Sequence, residues 1–174
     1  MKKIILMTLL CVLAIGSYAQ RVYKEGDSFI IECKGMPEAS YTKLAKPSTL
    51  TATVNGIKGI NSAAANQTVA YKFEVQIRNH NDASTRDDAI KKCDWKGPGW
   101  RLPTQRELQL IWTMREGLEK FEDFTPFAKK DYWSATDCFS GYGIAVFFNT
   151  GYTSMRSTAS YSTSPIRCIR EIIE

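Results

Sequence analysis

The stretch Gly99-Trp100-Arg101-Leu102-Pro103-Thr104-Gln105-Arg106-Glu107-Leu108 constrains the fold more than any other part of the chain. It is a turn that runs directly into a helix. Pro98 and Gly99 interrupt whatever precedes them, and Pro103 biases Leu102 towards an extended backbone. Thr104 followed three residues later by Glu107 is a capping box: the threonine hydroxyl accepts from the Glu107 amide, and the glutamate side chain reaches back to the Thr104 amide. Beyond the cap, Leu108, Leu110, Ile111, Trp112, Met114 and Leu118 form too broad an apolar face for a surface stripe, so this helix is expected to be well buried. A buried helix with a specified start fixes the chain on both sides of it.

The 174 residues suffice for one domain with a sizeable core. Residues 1–19 read as a secretory leader: Lys2 and Lys3 precede an apolar run from Ile4 to Ile15, and Ser17-Tyr18-Ala19 supplies the small residues of a cleavage site. The residue before Cys11 is Leu10, not the small residue a lipid-attachment site requires. Losing the leader takes two of the 23 Lys and Arg and none of the 18 acids, which lowers the net charge from +5 to +3. That charge is spread along the chain without a basic cluster, so nucleic acid is not an expected partner. No later segment is long and apolar enough to span a membrane. Four cysteines remain, Cys33, Cys93, Cys138 and Cys168; export makes disulfides feasible, the lack of C-x-x-C spacing argues against a zinc site, and the spacing leaves three pairings open.

Taken in order, Phe29 to Cys33 reads as a strand, and residues 20–70 as a whole as an N-terminal extension with an edge strand near Thr49–Val54. Val69 to Ile77 alternates, with Lys72, Glu74 and Gln76 on the solvent side of a half-buried strand. A short helix follows, capped by Ser84 or Thr85, with Asp87 and Asp88 at its positive end and Cys93 pointing inward with Ala89 and Ile90. After the second helix, Tyr132–Thr136 reads as a strand, Asp137–Gly143 as a loop, and Ile144–Phe148 as a central strand with Ile144, Val146 and Phe148 in the core. Asn149-Thr150-Gly151 is a hairpin turn into Tyr152–Met155, Arg156–Ser164 is a polar loop, and Pro165–Arg170 is a last short strand. The order indicates an α+β domain over residues 71–174.

These pieces also carry a family resemblance. Ala89 with Cys93, the Gly99–Leu108 stretch, Tyr132-Trp133-Ser134-Ala135-Thr136, Ala145 to Gly151 and Ile166-Arg167-Cys168-Ile169-Arg170 together resemble the C-terminal domain family of the Legionella collagen-like protein and the similar Fibrobacter succinogenes major paralogous domain. The resemblance runs from about Tyr71 to Arg170, and the Ala19-Gln20 junction beside such a domain resembles exported proteins of Bacteroidetes. It implies a C-type lectin-like fold, two helices on twisted antiparallel sheets with the chain ends meeting, and a Cys93–Cys168 bridge. Cys33 and Cys138 are then left as a second pair or as free thiols. The formylglycine-generating enzymes share that architecture and an Arg-Leu-Pro-Thr-x-x-Glu segment. This chain is much shorter, however, and lacks their Gly-Gly-Ser-Trp type C-terminal motif.

Residues Trp100, Arg101, Leu102, Pro103, Thr104 and Glu107 are read as structural, with Trp100 buried; Tyr132 and Trp133 belong to the core. His80, alone in a polar turn, is read as solvated. Asp87 and Asp88 are explained as helix-start acids, and neither a Glu-Pro-Asn nor a Trp-Asn-Asp calcium motif occurs, so no metal or cofactor is expected. The ligand-binding candidates are Asp137, Tyr142, Asn149, Tyr152, Arg156 and Tyr161, on polar turns whose Tyr, Asn and Arg side chains offer flat apolar area and hydrogen bonds. The expected function is that of an exported, non-enzymatic module recognising a glycan or a surface protein. The alternatives are a structural subunit of a surface assembly, docked by residues 20–70, or an enzyme of the formylglycine-generating kind.

Overall fold

In the computed structural model the described residues are 20–33, 43–44, 52–54, 57–59, 68–80, 85–139, 141–159 and 164–172. Residues 1–19, read from sequence as a leader, and Tyr161 lie outside them. Strand β1 (Arg21–Glu25) turns at Gly26 and Asp27 into β2 (Ser28–Glu32). Two short ladders follow: β3 (Lys43–Leu44) pairs in parallel with β6 (Thr68–Val69), and β4 (Ala52–Val54) pairs with β5 (Ile57–Gly59) across a hairpin. Strand β7 (Lys72–Val75) then leads to helix α1 (Arg86–Asp94), β8 (Trp100–Arg101) and helix α2 (Gln105–Leu118). The rest is β9 (Asp131–Phe139), β10 (Tyr142–Phe147), β11 (Thr153–Ser157) and β12 (Ile169–Glu171).

Among the described residues the elements form an α+β fold with two helices and two main antiparallel sheets. One sheet has the order β1-β2-β7-β12-β8, the other β11-β10-β9. Residues 21–32, read from sequence as part of the extension, thus enter the same sheet as residues 72–75, with Phe29 opposite Val75 and Ile31 opposite Phe73. Flanking by β2 and β12 also corrects the half-buried reading of β7. Glu74 and Gln76, which alternation puts on a solvent face, are 7% and 9% exposed. The Glu74 carboxylate accepts from Arg170 Nε and Nη2 at 3.0 and 2.6 Å, and Gln76 Oε1 accepts from the Cys168 amide at 3.1 Å.

Both helix starts are set by local chemistry. Thr85 caps α1, its hydroxyl accepting from the Asp88 amide at 3.1 Å. Thr104 caps α2 with both halves of the capping box formed, Glu107 N to Thr104 Oγ1 at 3.1 Å and Thr104 N to Glu107 Oε2 at 2.8 Å. Helix α2 buries Leu108, Leu110, Ile111 and Leu118 against Phe29, Ile31, Phe73 and Val75, while Trp112 and Met114 are only partly covered. Helix α1 buries Ala89, Ile90 and Cys93 in a second cluster with Leu102, Trp133, Ala135, Ala145, Ile166 and Cys168. The Cys93–Cys168 disulfide lies in this second cluster, its Cα atoms 5.4 Å apart across a sequence separation of 75. Closing such a loop stabilises the fold by about 4 kcal/mol on the chain-entropy account.

The three-stranded sheet is a wall between the two clusters. Tyr132 and Val146 face the first, Trp133 and Ala145 the second. A strand covered on both faces has no polar side, which is why Ile144–Phe148 is continuously apolar. Within it, Ala145 and Val146 are fully buried and Ile144 is half-buried, a correction to the reading that put Ile144 in the core. Two segments read as loops are also strands: β9 continues to Phe139 through irregular pairing with β10, and β11 continues to Ser157.

Candidate functional site

The Trp100–Glu107 stretch forms a hub. Glu107 is fully buried, and its carboxylate takes a bidentate pair from Arg101 at 2.7 and 2.8 Å as well as the Thr104 amide and, at 2.9 Å, the Ala70 amide. Burial alone would raise the Glu107 pKa, but the Arg101 guanidinium and the two amides hold the carboxyl below the ordinary range. A second carboxylate, Glu171, lies 3.9 Å from Arg101, and its Oε2 is buried without a hydrogen bond. Burial pushes Glu171 up to about 7 against the pull of Arg101, and the Glu107 charge adds to the rise. Trp100 is half-buried, not buried as read from sequence, and its ring is approached by the Lys96 ammonium at 4.5 Å and the Arg170 guanidinium at 5.3 Å.

Other buried ionisable groups hold the fold together in the same way. Arg167, with no exposure, donates to the carbonyls of Gln76, Ile77 and Thr125 and to Asn79 Oδ1, between the rings of Phe124 and Phe127. Its burial lowers the guanidinium to about 10. Cys33 is a free, buried thiol, so of the two states left open for it the structure holds the unpaired one. Burial first, then the charges of Glu107 and Glu32, push it up to about 12, far from thiolate reactivity. The Cys138 side chain lies outside the described residues. His80 pairs through its backbone with Ile166. Among the described residues no group of three His, Cys, Asp or Glu side chains is gathered as for a metal ion.

The candidate binding residues fall on the three-stranded sheet, and its register sorts them by face. Side chains alternate along a strand, and cross-strand partners share a face. On β10 the odd positions lie over the second cluster: Gly143 opposite Arg156, Ala145 between Ser154 and Trp133, and Phe147 opposite Asp131, with the Phe147 amide donating to the Tyr152 carbonyl. On the even positions Tyr142 is opposite Ser157 and Ile144 opposite Met155. The predicted residues therefore do not form one patch. Tyr142 lies at one end of β10 on one face, while Asn149 and Tyr152 lie by the turn at the other end, about 17 Å away along the strand. Tyr142 is 41% exposed and Tyr152 75%. Asp137 belongs to β9, with its side chain outside the described residues.

Arg156, read as a loop residue, is instead a strand residue with defined contacts. Its Nη1 donates to Asp131 Oδ2 at 2.7 Å and to Ser164 Oγ at 3.4 Å, and its guanidinium lies 5.9 Å over the Trp133 ring. Ser154 Oγ donates to Asp131 Oδ1 at 3.4 Å. Both ends of the ion pair remain partly open to solvent, about a quarter of each side chain. Sequence reasoning missed Asp131, Ser154, Ser164 and Met155. The available signal was the alternation of Thr153-Ser154-Met155-Arg156, which places Ser154 and Arg156 on one face and Met155 on the other. At the turn between the strands, Gly151 has φ +79°, and a Cβ there would meet the Trp112 ring at 2.7 Å. The Trp112 indole donates to the Phe148 carbonyl at 3.1 Å, so helix α2 fixes the turn that carries Asn149 and Tyr152.

Compared with known proteins, the chain matches no family model and no curated protein sequence.

Proposed function

We propose that this chain is an exported, non-enzymatic binding module of C-type lectin-like fold, which recognises a glycan or a surface protein through the β10–β11 side of its three-stranded sheet. One observation carries the reading. Trp95, Tyr142, Tyr152 and Met155 are the exposed large apolar side chains among the described residues, and the last three belong to the 142–155 hairpin. Tyr142 and Met155 share one face of this hairpin and Tyr152 stands at its turn end, so each offers an exposed side chain suited to contact: tyrosine is flat and loses little rotamer freedom on binding, and methionine adapts to a partner's shape. The buried ionisable groups support the non-enzymatic part. Arg101, Glu107 and Arg167 are all consumed in hydrogen bonds that hold segments of the fold together, and Cys33 is a protonated core thiol.

Export is supported by the Cys93–Cys168 bridge, since structural disulfides persist in oxidising compartments. No helix among the described residues is long and apolar enough to cross a membrane. The lectin-like assignment is supported by the two helices packed on antiparallel sheets, with β12 near the C-terminus beside β7 and the β1–β2 hairpin on the other side of β7. Purified residues 20–174 applied to arrays of glycans and of extracellular proteins, with and without EDTA, test the proposal. Saturable binding that persists in EDTA is expected. A chain that binds neither array, or that binds only with calcium, contradicts it.

A further inference from the structure

We infer that the Asp131–Arg156 pair, with Ser154, Ser164 and Tyr152, is the site of that module and that it takes two neighbouring hydroxyls of a neutral sugar without calcium. The inference rests on the binding-module reading and narrows it to one ligand chemistry at named atoms. The starting point is the register: Asp131 on β9 is opposite Phe147 on β10, the Phe147 amide donates to the carbonyl of Tyr152 just before β11, and Ser154 and Arg156 bond to the Asp131 carboxylate from β11. Two strand spacings separate the outer members of a row, about 10 Å. Half-buried Phe147 lies between them as a floor. One side is polar, and across the row stands Tyr152, a residue 75% exposed. A sugar ring has this two-sided character, with hydroxyls at its edge and C–H groups on its face.

The polar rim has the chemistry a vicinal diol needs. Each hydroxyl is at once a donor and an acceptor, so it is best met by a carboxylate beside a guanidinium or hydroxyl. Asp131 uses one lone pair on each oxygen for Ser154 and Arg156, and the carboxylate keeps its outward lone pairs with 28% of the side chain exposed. The pair is already desolvated on its inner side by Trp133, and the hydroxyl of Ser164, 2% exposed, helps to hold the arginine. The site is therefore pre-formed, which lowers the ordering cost of binding.

The test uses residues 20–174 in EDTA and a printed array of neutral oligosaccharides, followed by saturation-transfer NMR with maltotriose, cellotriose and mannotriose. Asp131→Asn keeps the shape but loses the charge, Arg156→Lys loses the fork, and Ser154→Ala leaves the ion pair itself in place. Melting temperatures of all variants are measured alongside. Wild-type binding to at least one neutral oligosaccharide is expected, about tenfold or more weaker in Asp131→Asn and Arg156→Lys and several-fold weaker in Ser154→Ala. Binding that survives in all three folded variants, or that is lost in Trp95→Ala instead, overturns the inference while leaving the binding-module reading intact. A purely structural ion pair would lower the melting temperatures and leave binding unchanged. Wild-type protein that binds no neutral oligosaccharide also overturns it, and the protein arm of the broader array then decides the module reading separately.

Discussion

Replacing Glu107 by Gln isolates what the hub at the start of α2 contributes. The wild-type carboxylate is fully buried and meets four donors. Arg101 and Thr104 point at one oxygen, Arg101 and Ala70 at the other. Glutamine has a single acceptor oxygen, so whichever way the amide is turned, its NH2 faces one Arg101 N–H and one backbone N–H. The variant loses a charge-assisted bond worth about 1.5–3 kcal/mol and strands a buried donor at about 1–3 kcal/mol. That agrees with the roughly 3–5 kcal/mol for breaking a buried pair. Glu171, 3.9 Å from Arg101, can take over part of the guanidinium charge, which places the expectation near the low end, about 3 kcal/mol. Urea unfolding at neutral pH, followed by far-UV circular dichroism, should show the midpoint falling by about 1–2 M at an unchanged slope near 2 kcal/mol/M. The double variant Glu107→Gln/Glu171→Gln should be less stable again, because the fallback partner is gone. A loss below about 1 kcal/mol in the single variant would mean that Glu107 is only an ordinary cap, and the account of the hub would fall.

Other outcomes follow from the same structure. Glu171 has a folded pKa of about 7 against an ordinary 4.5, so between these values the native state holds a proton that the unfolded chain has released. Its contribution to stability is present below about pH 4.5 and is lost as pH rises to 7. Glu171→Gln should therefore flatten stability over that window and be more stable than wild type at pH 8; a variant less stable than wild type at pH 8 contradicts this. Peptide mapping without reduction should recover the Cys93–Cys168 peptide, and Cys33 should resist alkylation until denaturant is added. A Cys33-containing disulfide, or fast labelling of Cys33 in the native protein, would oppose the assignment. Gly151→Ala combines a strained positive φ with a clash against the Trp112 ring, and should cost about 1–3 kcal/mol. An unchanged melting temperature would show that α2 does not hold the hairpin turn.

What was legible in the sequence was local. The start of α2 is written in Thr104 and Glu107, three residues apart, and the wall position of β10 in the unbroken run from Ile144 to Phe148. The burial of Glu74 and Gln76 was not legible, because the groups that satisfy them, Arg170 and the Cys168 amide, are 96 and 92 residues away in sequence. The same holds for β2, whose place beside β7 is a pairing of Phe29 with Val75 that no local pattern encodes. At the candidate site, polarity alone groups Tyr142 with Tyr152 and Arg156. The strand alternation that separates them exists because Arg156 and Ser157 are β-strand and not loop. Asp131, at the first position of β9, gives no sign in sequence of the arginine it meets 25 residues later.

The most direct measurement of the central claim is amide chemical-shift mapping on isotope-labelled residues 20–174 in EDTA, titrated with the strongest-binding oligosaccharide from the array. The account predicts saturable shifts centred on Asp131, Phe147, Tyr152, Ser154 and Arg156, absent in Asp131→Asn. Shifts confined to the Trp95–Trp100 turn, or binding that appears only when calcium replaces EDTA, would contradict it.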